Sequence, residues 1–205
     1  MAKPRDLDQL DPLHRLWFLI LAQGDFGQSA KAARIALTTL KNDSSGDGRF
    51  TYDSLAECAV TRYARPFGRC MLPQPRAAGQ PKPPQISTRL PVSFVERAGL
   101  PGATTVHEAA IRLRDSFYAH SDAHEKGMRL NIVDGGGYPA LQAGAGTQSV
   151  APENLALLER LSRTLASTLA PEIGLLANKL LPQLHPAGSL EIGQSVSIRF
   201  EPGVD

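Results

Sequence analysis

Arg114, Asp115 and His120 fall within eleven residues of one another, in the stretch RLRDSFYAHSD at 112–122. Histidine titrates near neutral pH and can give or take a proton during a reaction. Arginine keeps its charge and offers a planar fork of donors to phosphate or carboxylate oxygens. A site holding both can move a proton while stabilising an anion in which charge is building. Ordinary helix chemistry accounts for the same residues equally well. A histidine near a helix C-terminus bonds to the last carbonyls and complements the dipole, and an arginine on a helix flank pairs with a carboxylate, here Glu108 or Asp115.

The element that must position them is a helix with capping-box spacing at its start, Thr105 and Glu108. Its apolar stripe is Val106, Ala110, Leu113 and Phe117, and Gly127 supplies a stop. On such a helix His120 falls roughly 20° from Leu113, His124 continues that line, and Arg114 sits about 100° away on the flank. Arg114 and His120 are separated by about 9 Å of rise and about 120° of rotation, so one copy of the pair does not converge on a point.

Other helices flank it. Asp11 is expected as an N-cap with Pro12 at the first helical position, followed by Leu13, Leu16, Trp17 and Ile20 at helical spacing. A second helix is expected over about 29–41 (Ala33, Leu37, Leu40), closed by NDSSGDG, and a third over about 52–63, stopped by Pro66. From Pro73 to Pro91 the chain holds six prolines, and 72–91 is expected to be an extended surface loop. A short helix over 92–98 follows. Later come a helix over about 152–169, a break at Pro171, and a resumed helical pattern in EIGLLANKLL. Strand-like alternation at Leu190, Ile192, Val196, Ile198 and Phe200 predicts a β-addition formed by 128–150 and 188–200, with the segment around Leu130 and Ile132 as partner. The expected fold is mainly α: a single domain over 1–205, a helical bundle with a small β-hairpin or sheet near the C-terminus.

The stretch LRDSFYAHSD resembles the Arg-polar-x4-His signature of the HEPN superfamily, with Arg114, Asp115 and His120 on the signature positions. YARPF at 63–67 is similar to a segment that accompanies this signature in uncharacterised bacterial proteins. The resemblance implies a helical bundle. It also implies metal-independent RNA cleavage of the kind found in toxin–antitoxin, abortive-infection or CRISPR defence systems. His120 would transfer the proton, Arg114 would stabilise the phosphate and Asp115 would orient the arginine. Two copies of the helix would face each other in a homodimer, and an antitoxin or nucleotidyltransferase-like partner would accompany it. Members that only bind RNA, nucleotide or protein are the alternative within the same resemblance.

Other residues offer competing chemistry. His120 and His124 have the four-residue spacing of metal ligands on one helix face, with His107 or His14 available as a third, and this supports a metal-dependent enzyme as a further alternative. No HExxH motif or cysteine cluster accompanies them. DGGGYPALQAGAG lacks the GK[ST] ending of a phosphate loop and is expected to be a hairpin connection. Cys58 is expected to be a buried thiol, and Cys70 follows an arginine without an identifiable base. Arg62, Arg65 and Arg69 recur at three- and four-residue spacing. They form a candidate RNA-binding ridge, with Arg76 nearby.

Composition sets the frame. The 205 residues are 42% hydrophobic and 20% charged with a net charge of +2, so a core can form and any RNA contact must come from a local cluster of cations. No cofactor is expected. The run LWFLILA is far below the roughly 20 apolar residues a membrane helix needs. With two cysteines and a charged start, a reduced, cytoplasmic protein with no membrane contact is the expectation.

Overall fold

The computed structural model describes residues 4–72, 86–118, 129–134, 139–144 and 150–184. Three long helices make the body: α1 (Pro12–Asn42), α2 (Gly46–Ala64) and α5 (Pro152–Leu184). Two shorter ones, α3 (Ser93–Arg97) and α4 (Ala103–Arg112), close one side, and a π-helical turn, Leu113–Tyr118, continues α4. The fold is a mainly helical bundle with small two-stranded antiparallel additions. Among the described residues no helix is long and apolar enough to cross a membrane.

α1 begins as its sequence dictates. The Asp11 carboxylate accepts the His14 amide at 3.1 Å, and Pro12, which lacks an amide hydrogen, occupies the first helical position. The two helices expected before Lys41 are one. Gly24 and Gly27 each cost about 1 kcal/mol relative to alanine in a helix interior, but Leu19, Ala22, Phe26, Ala30 and Ala33 are all buried across that stretch and carry the helix through it. α2 begins earlier than Tyr52 because Ser45 caps it. A Cβ on Gly48 would lie 2.1 Å from the Asp43 carbonyl oxygen, so only glycine permits that entry.

α4 departs from its expected start. It opens two residues before Thr105, with Gly102 in the left-handed conformation (φ 76°) as N-cap and no side-chain capping bond. The expected break at Pro171 is also absent, since α5 is continuous through it.

The core is one cluster of buried side chains drawn from α1, α2, α4 and α5, including Phe18, Phe26, Tyr52, Tyr63, Leu158, Leu161 and Leu165. One polar link crosses it. The Ser29 hydroxyl donates to the Ala59 carbonyl at 2.8 Å and meets the Ser162 hydroxyl at 3.0 Å, tying α1 to α2 and α5. Each group is satisfied, as buried polar atoms must be.

The proline-rich stretch is not loop at both of its ends. β1 (Cys70–Leu72) pairs antiparallel with β2 (Ile86–Thr88), and Ser87, Thr88 and Leu90 are buried. Arg5 adds a parallel bridge to Thr88. Strand β3 (Arg129–Asp134) pairs antiparallel with β4 (Pro139–Gly144). A hairpin between neighbours in sequence closes the smaller loop and loses less chain entropy. The expected tail strand at 188–200 lies outside the described residues.

Candidate functional site

The arginines singled out by spacing line a single cleft. Arg62 leaves the last turn of α2, Arg65 lies in the short 3-10 turn Arg65–Phe67, Arg69 precedes β1, and Arg114 comes from the π-helical turn after α4. All four border a cleft of about 790 Å³ whose opposite wall includes Trp17, Ile20 and Leu21 of α1. Ile20 and Leu21 are exposed at 48% and 42%, so the wall facing the guanidinium groups is apolar and open.

Each guanidinium is held by a named partner. Arg62 and Arg65 donate to the same Asp25 Oδ1 of α1, at 3.0 and 3.3 Å. Arg69 Nε donates to the Ser87 hydroxyl of β2 at 3.2 Å. Arg114 Nε donates to Asp115 Oδ1 at 2.5 Å, and its Nη1 reaches the Ala64 carbonyl at 3.4 Å. Asp115 thus holds Arg114, and Glu108, the other carboxylate considered for it, does not pair with it. Four cations against two carboxylates leave the cleft with excess positive charge, arranged before any ligand arrives. Gly68 lets Arg114 lie close beside it, since a Cβ there would fall 2.7 Å from Arg114 Nη1 and push the guanidinium aside.

The helix carrying the RDSFYAH motif is not an α-helix throughout. From Leu113 to Tyr118 it winds as a π-helix, whose wider turn breaks the 100° per residue spacing from which His120 was placed near the apolar stripe. Such π segments occur frequently at functional sites. His120 and His124 lie outside the described residues, as does Arg76. The cleft therefore joins Arg114, held by Asp115, with Arg62, Arg65 and Arg69, and it says nothing of the histidine.

The two histidines considered as further metal ligands are occupied. His14 Nδ1 pairs with the Asp11 carboxylate. His107 is 4% exposed, and its Nδ1 is 3.0 Å from the Tyr63 hydroxyl. Burial drives the His107 pKa below its usual value and the Tyr63 pKa above its own, so both stay neutral at pH 7. Among the described residues no three His, Cys, Asp or Glu side chains gather as a metal site.

Cysteine expectations change in opposite directions. Cys58 is exposed rather than buried, because the buried stripe of α2 is Tyr52, Ala56, Ala59, Val60 and Tyr63 and Cys58 stands beside it. Cys70 borders the arginine cleft, but burial pushes its thiol pKa up, which disfavours the reactive thiolate.

Sequence reasoning missed Asp25, the carboxylate that gathers Arg62 and Arg65, since its partners lie about forty residues away. It also missed the turn Tyr63–Phe67 as a hub. Tyr63 bonds His107, the Ala64 carbonyl receives Arg114, Arg65 bonds Asp25, the Pro66 carbonyl accepts the Leu90 amide at 2.7 Å, and the Phe67 ring meets the His107 ring edge at 4.5 Å. YARPF was its only signal. Compared with family models, curated proteins and solved structures, the chain gives no match.

Proposed function

We propose that the protein is a HEPN-like, metal-independent endoribonuclease that holds the RNA backbone in the arginine cleft. The observation that carries this reading is that Arg114, the arginine of the motif, lines the same cleft as Arg62, Arg65 and Arg69. Guanidinium forks suit phosphate oxygens, and the apolar wall of Trp17, Ile20 and Leu21 offers a surface for unstacked bases.

In the proposed reaction the ribose 2′-hydroxyl attacks the neighbouring phosphorus and the P–O5′ bond breaks. The products are a 2′,3′-cyclic phosphate and a 5′-hydroxyl. Neutral His120 takes the 2′-hydroxyl proton, and the departing 5′-oxygen receives a proton from the protonated imidazole of a second copy. Arg114, oriented by Asp115, stabilises the charge on the non-bridging oxygens. One chain supplies half of this site, so a homodimer is part of the proposal, as is a role in a defence or toxin–antitoxin system with a cognate partner.

A second reading is a non-catalytic RNA-binding module. It is favoured by the cleft itself, which no histidine among the described residues lines. One experiment separates the two. Purified protein incubated with single-stranded RNA in excess chelator should cut it, and Arg114→Ala and His120→Ala should each lower the rate by at least about 100-fold with the fold intact. Wild-type protein that binds RNA but leaves it whole establishes the binding module instead.

A further inference from the structure

A second cleft, of about 700 Å³, opens on the other side of the Tyr63–Phe67 turn. Its lining includes Phe67, Leu90, Phe94 and His107, with Arg89 and Arg97 among the polar groups. Three features set it apart from a charged surface.

The first is His107, which is buried and, among the described residues, hydrogen-bonded at only one of its nitrogens. Its Nδ1 is bonded to Tyr63, and Nε2 has no partner among the described residues. Tyr63 is itself fully buried, and its hydroxyl has no other acceptor among the described residues, so the arrangement that satisfies it has Tyr63 donating to Nδ1. The single imidazole proton then sits on Nε2, on a ring that lines the cleft.

Charge is the second feature. Arg15 engages two lining carboxylates, Glu172 at 2.7 Å and Asp8 at 2.8 Å. Asp6 is the remaining carboxylate of the lining, in the cap of the Leu7–Gln9 turn. Arg89 and Arg97 are exposed and have no carboxylate partner among the described residues. The guanidinium of Arg97 is over the Phe94 ring at 4.9 Å, a placement that leaves its N–H edge available. The third feature is apolar surface, given by Pro91 and Val92, which are exposed on the lining in front of the buried Phe67, Leu90 and Phe94. An apolar lining with a few polar groups is the usual composition of a small-molecule site.

We propose that this cleft binds a small organic acid with an apolar ring, its acid group held by Arg89 and Arg97, its ring against Pro91 and Val92, and an acceptor atom on His107 Nε2–H. The site is distinct from the arginine cleft and stands whether or not the protein cleaves RNA.

The test uses the full chain labelled with ¹⁵N-histidine, its His107 resonances assigned by comparison with His107→Gln. Two probes are titrated separately, benzoate and phenyl phosphate. A saturable shift of the Nε2 resonance is expected with at least one, and which one responds tells carboxylate from phosphate. Arg89→Ala/Arg97→Ala, which alters only exposed side chains, should weaken that binding by at least about tenfold, and Arg62→Ala/Arg69→Ala should leave it unchanged. Absence of a saturable shift with both acids, or a shift that persists in the Arg89/Arg97 variant, overturns the proposal.

Discussion

His107 and Arg114 stand seven residues apart on one continuous helical run, yet they line different clefts. The end of α2 accounts for this. Tyr63 bonds His107 on one side, and the carbonyl of the next residue, Ala64, receives Arg114 on the other. About 10 Å of helical rise separates the two contacts, so the turn Tyr63–Phe67 acts as the wall between the clefts. Changes on one side of this wall can be tested without touching the residues that line the other.

Gly68→Ala is one such change. Gly68 has an extended backbone (φ −79°, ψ 175°) that alanine adopts freely, so no strain arises there. The new methyl would meet Arg114 Nη1 at 2.7 Å, and a guanidinium can swing aside. The expected outcome is a stability change within about 1 kcal/mol together with clearly weakened RNA binding, measured by urea unfolding and by fluorescence anisotropy with a labelled oligonucleotide. Unaltered affinity would show that the observed position of Arg114 is not the one that matters.

On the proposed function, the salt dependence of RNA binding would give a count of the cations engaged. For a single strand, each neutralised phosphate contributes about 0.7 to the slope of log K against log salt. Arg62→Ala, Arg65→Ala and Arg69→Ala should each weaken binding across unrelated sequences and flatten that slope by about this amount. Arg34→Ala, on the α1 surface away from the cleft lining, serves as the control and should leave the slope unchanged.

What could be read from the sequence follows the range of the interactions. The Asp11 cap and Pro12 were legible because a cap is made by residues three apart. The Thr105 and Glu108 pair had the right spacing for another cap, but Gly102 starts α4 earlier by adopting a backbone conformation that spacing does not report. The ridge of Arg62, Arg65 and Arg69 was visible as a pattern. That it shares a cleft with Arg114 depends on Asp25 and Ser87, partners distant in sequence. Strand β2 was hidden because three residues beside a run of prolines carry almost no periodicity, and its order comes from pairing with Cys70–Leu72.

His107 makes stability depend on pH. Burial lowers its pKa in the folded state below the 6.5 of the free side chain, so the unfolded chain takes up a proton first as the solution is acidified. The stability held by the neutral ring is complete above about pH 6.5 and is lost as pH falls through the folded-state value. Thermal unfolding from pH 8 to pH 5 should show a declining midpoint below about pH 6.5. In His107→Gln the part of that decline due to this residue should vanish. An identical pH profile in the variant would assign the acid sensitivity to other groups.

Pro171 and Gly27 lie inside long helices that would be stronger without them. Proline at 171 gives no amide to the carbonyl one turn earlier, at Ser167, and its ring crowds that turn. The neighbouring helix still forms because Leu165 and Leu169 are buried at 0% and 1% exposure against the bundle, and burying each such side chain contributes about 1.5–3 kcal/mol. Pro171 is itself exposed, so alanine there removes no core contact. The intrinsic preference of a helix interior for alanine over proline is about 3 kcal/mol, reduced by the looser unfolded chain that alanine allows. Pro171→Ala should therefore stabilise the protein by about 1–2 kcal/mol. At Gly27 a Cβ meets nothing within 4 Å, and Gly27→Ala should add about 0.5–1 kcal/mol. The sites are on different helices, so the double variant should show nearly the sum of the two gains by urea unfolding. A loss of stability at Gly27 would reveal a close neighbour that the isolated chain does not contain, such as a second copy packed along α1.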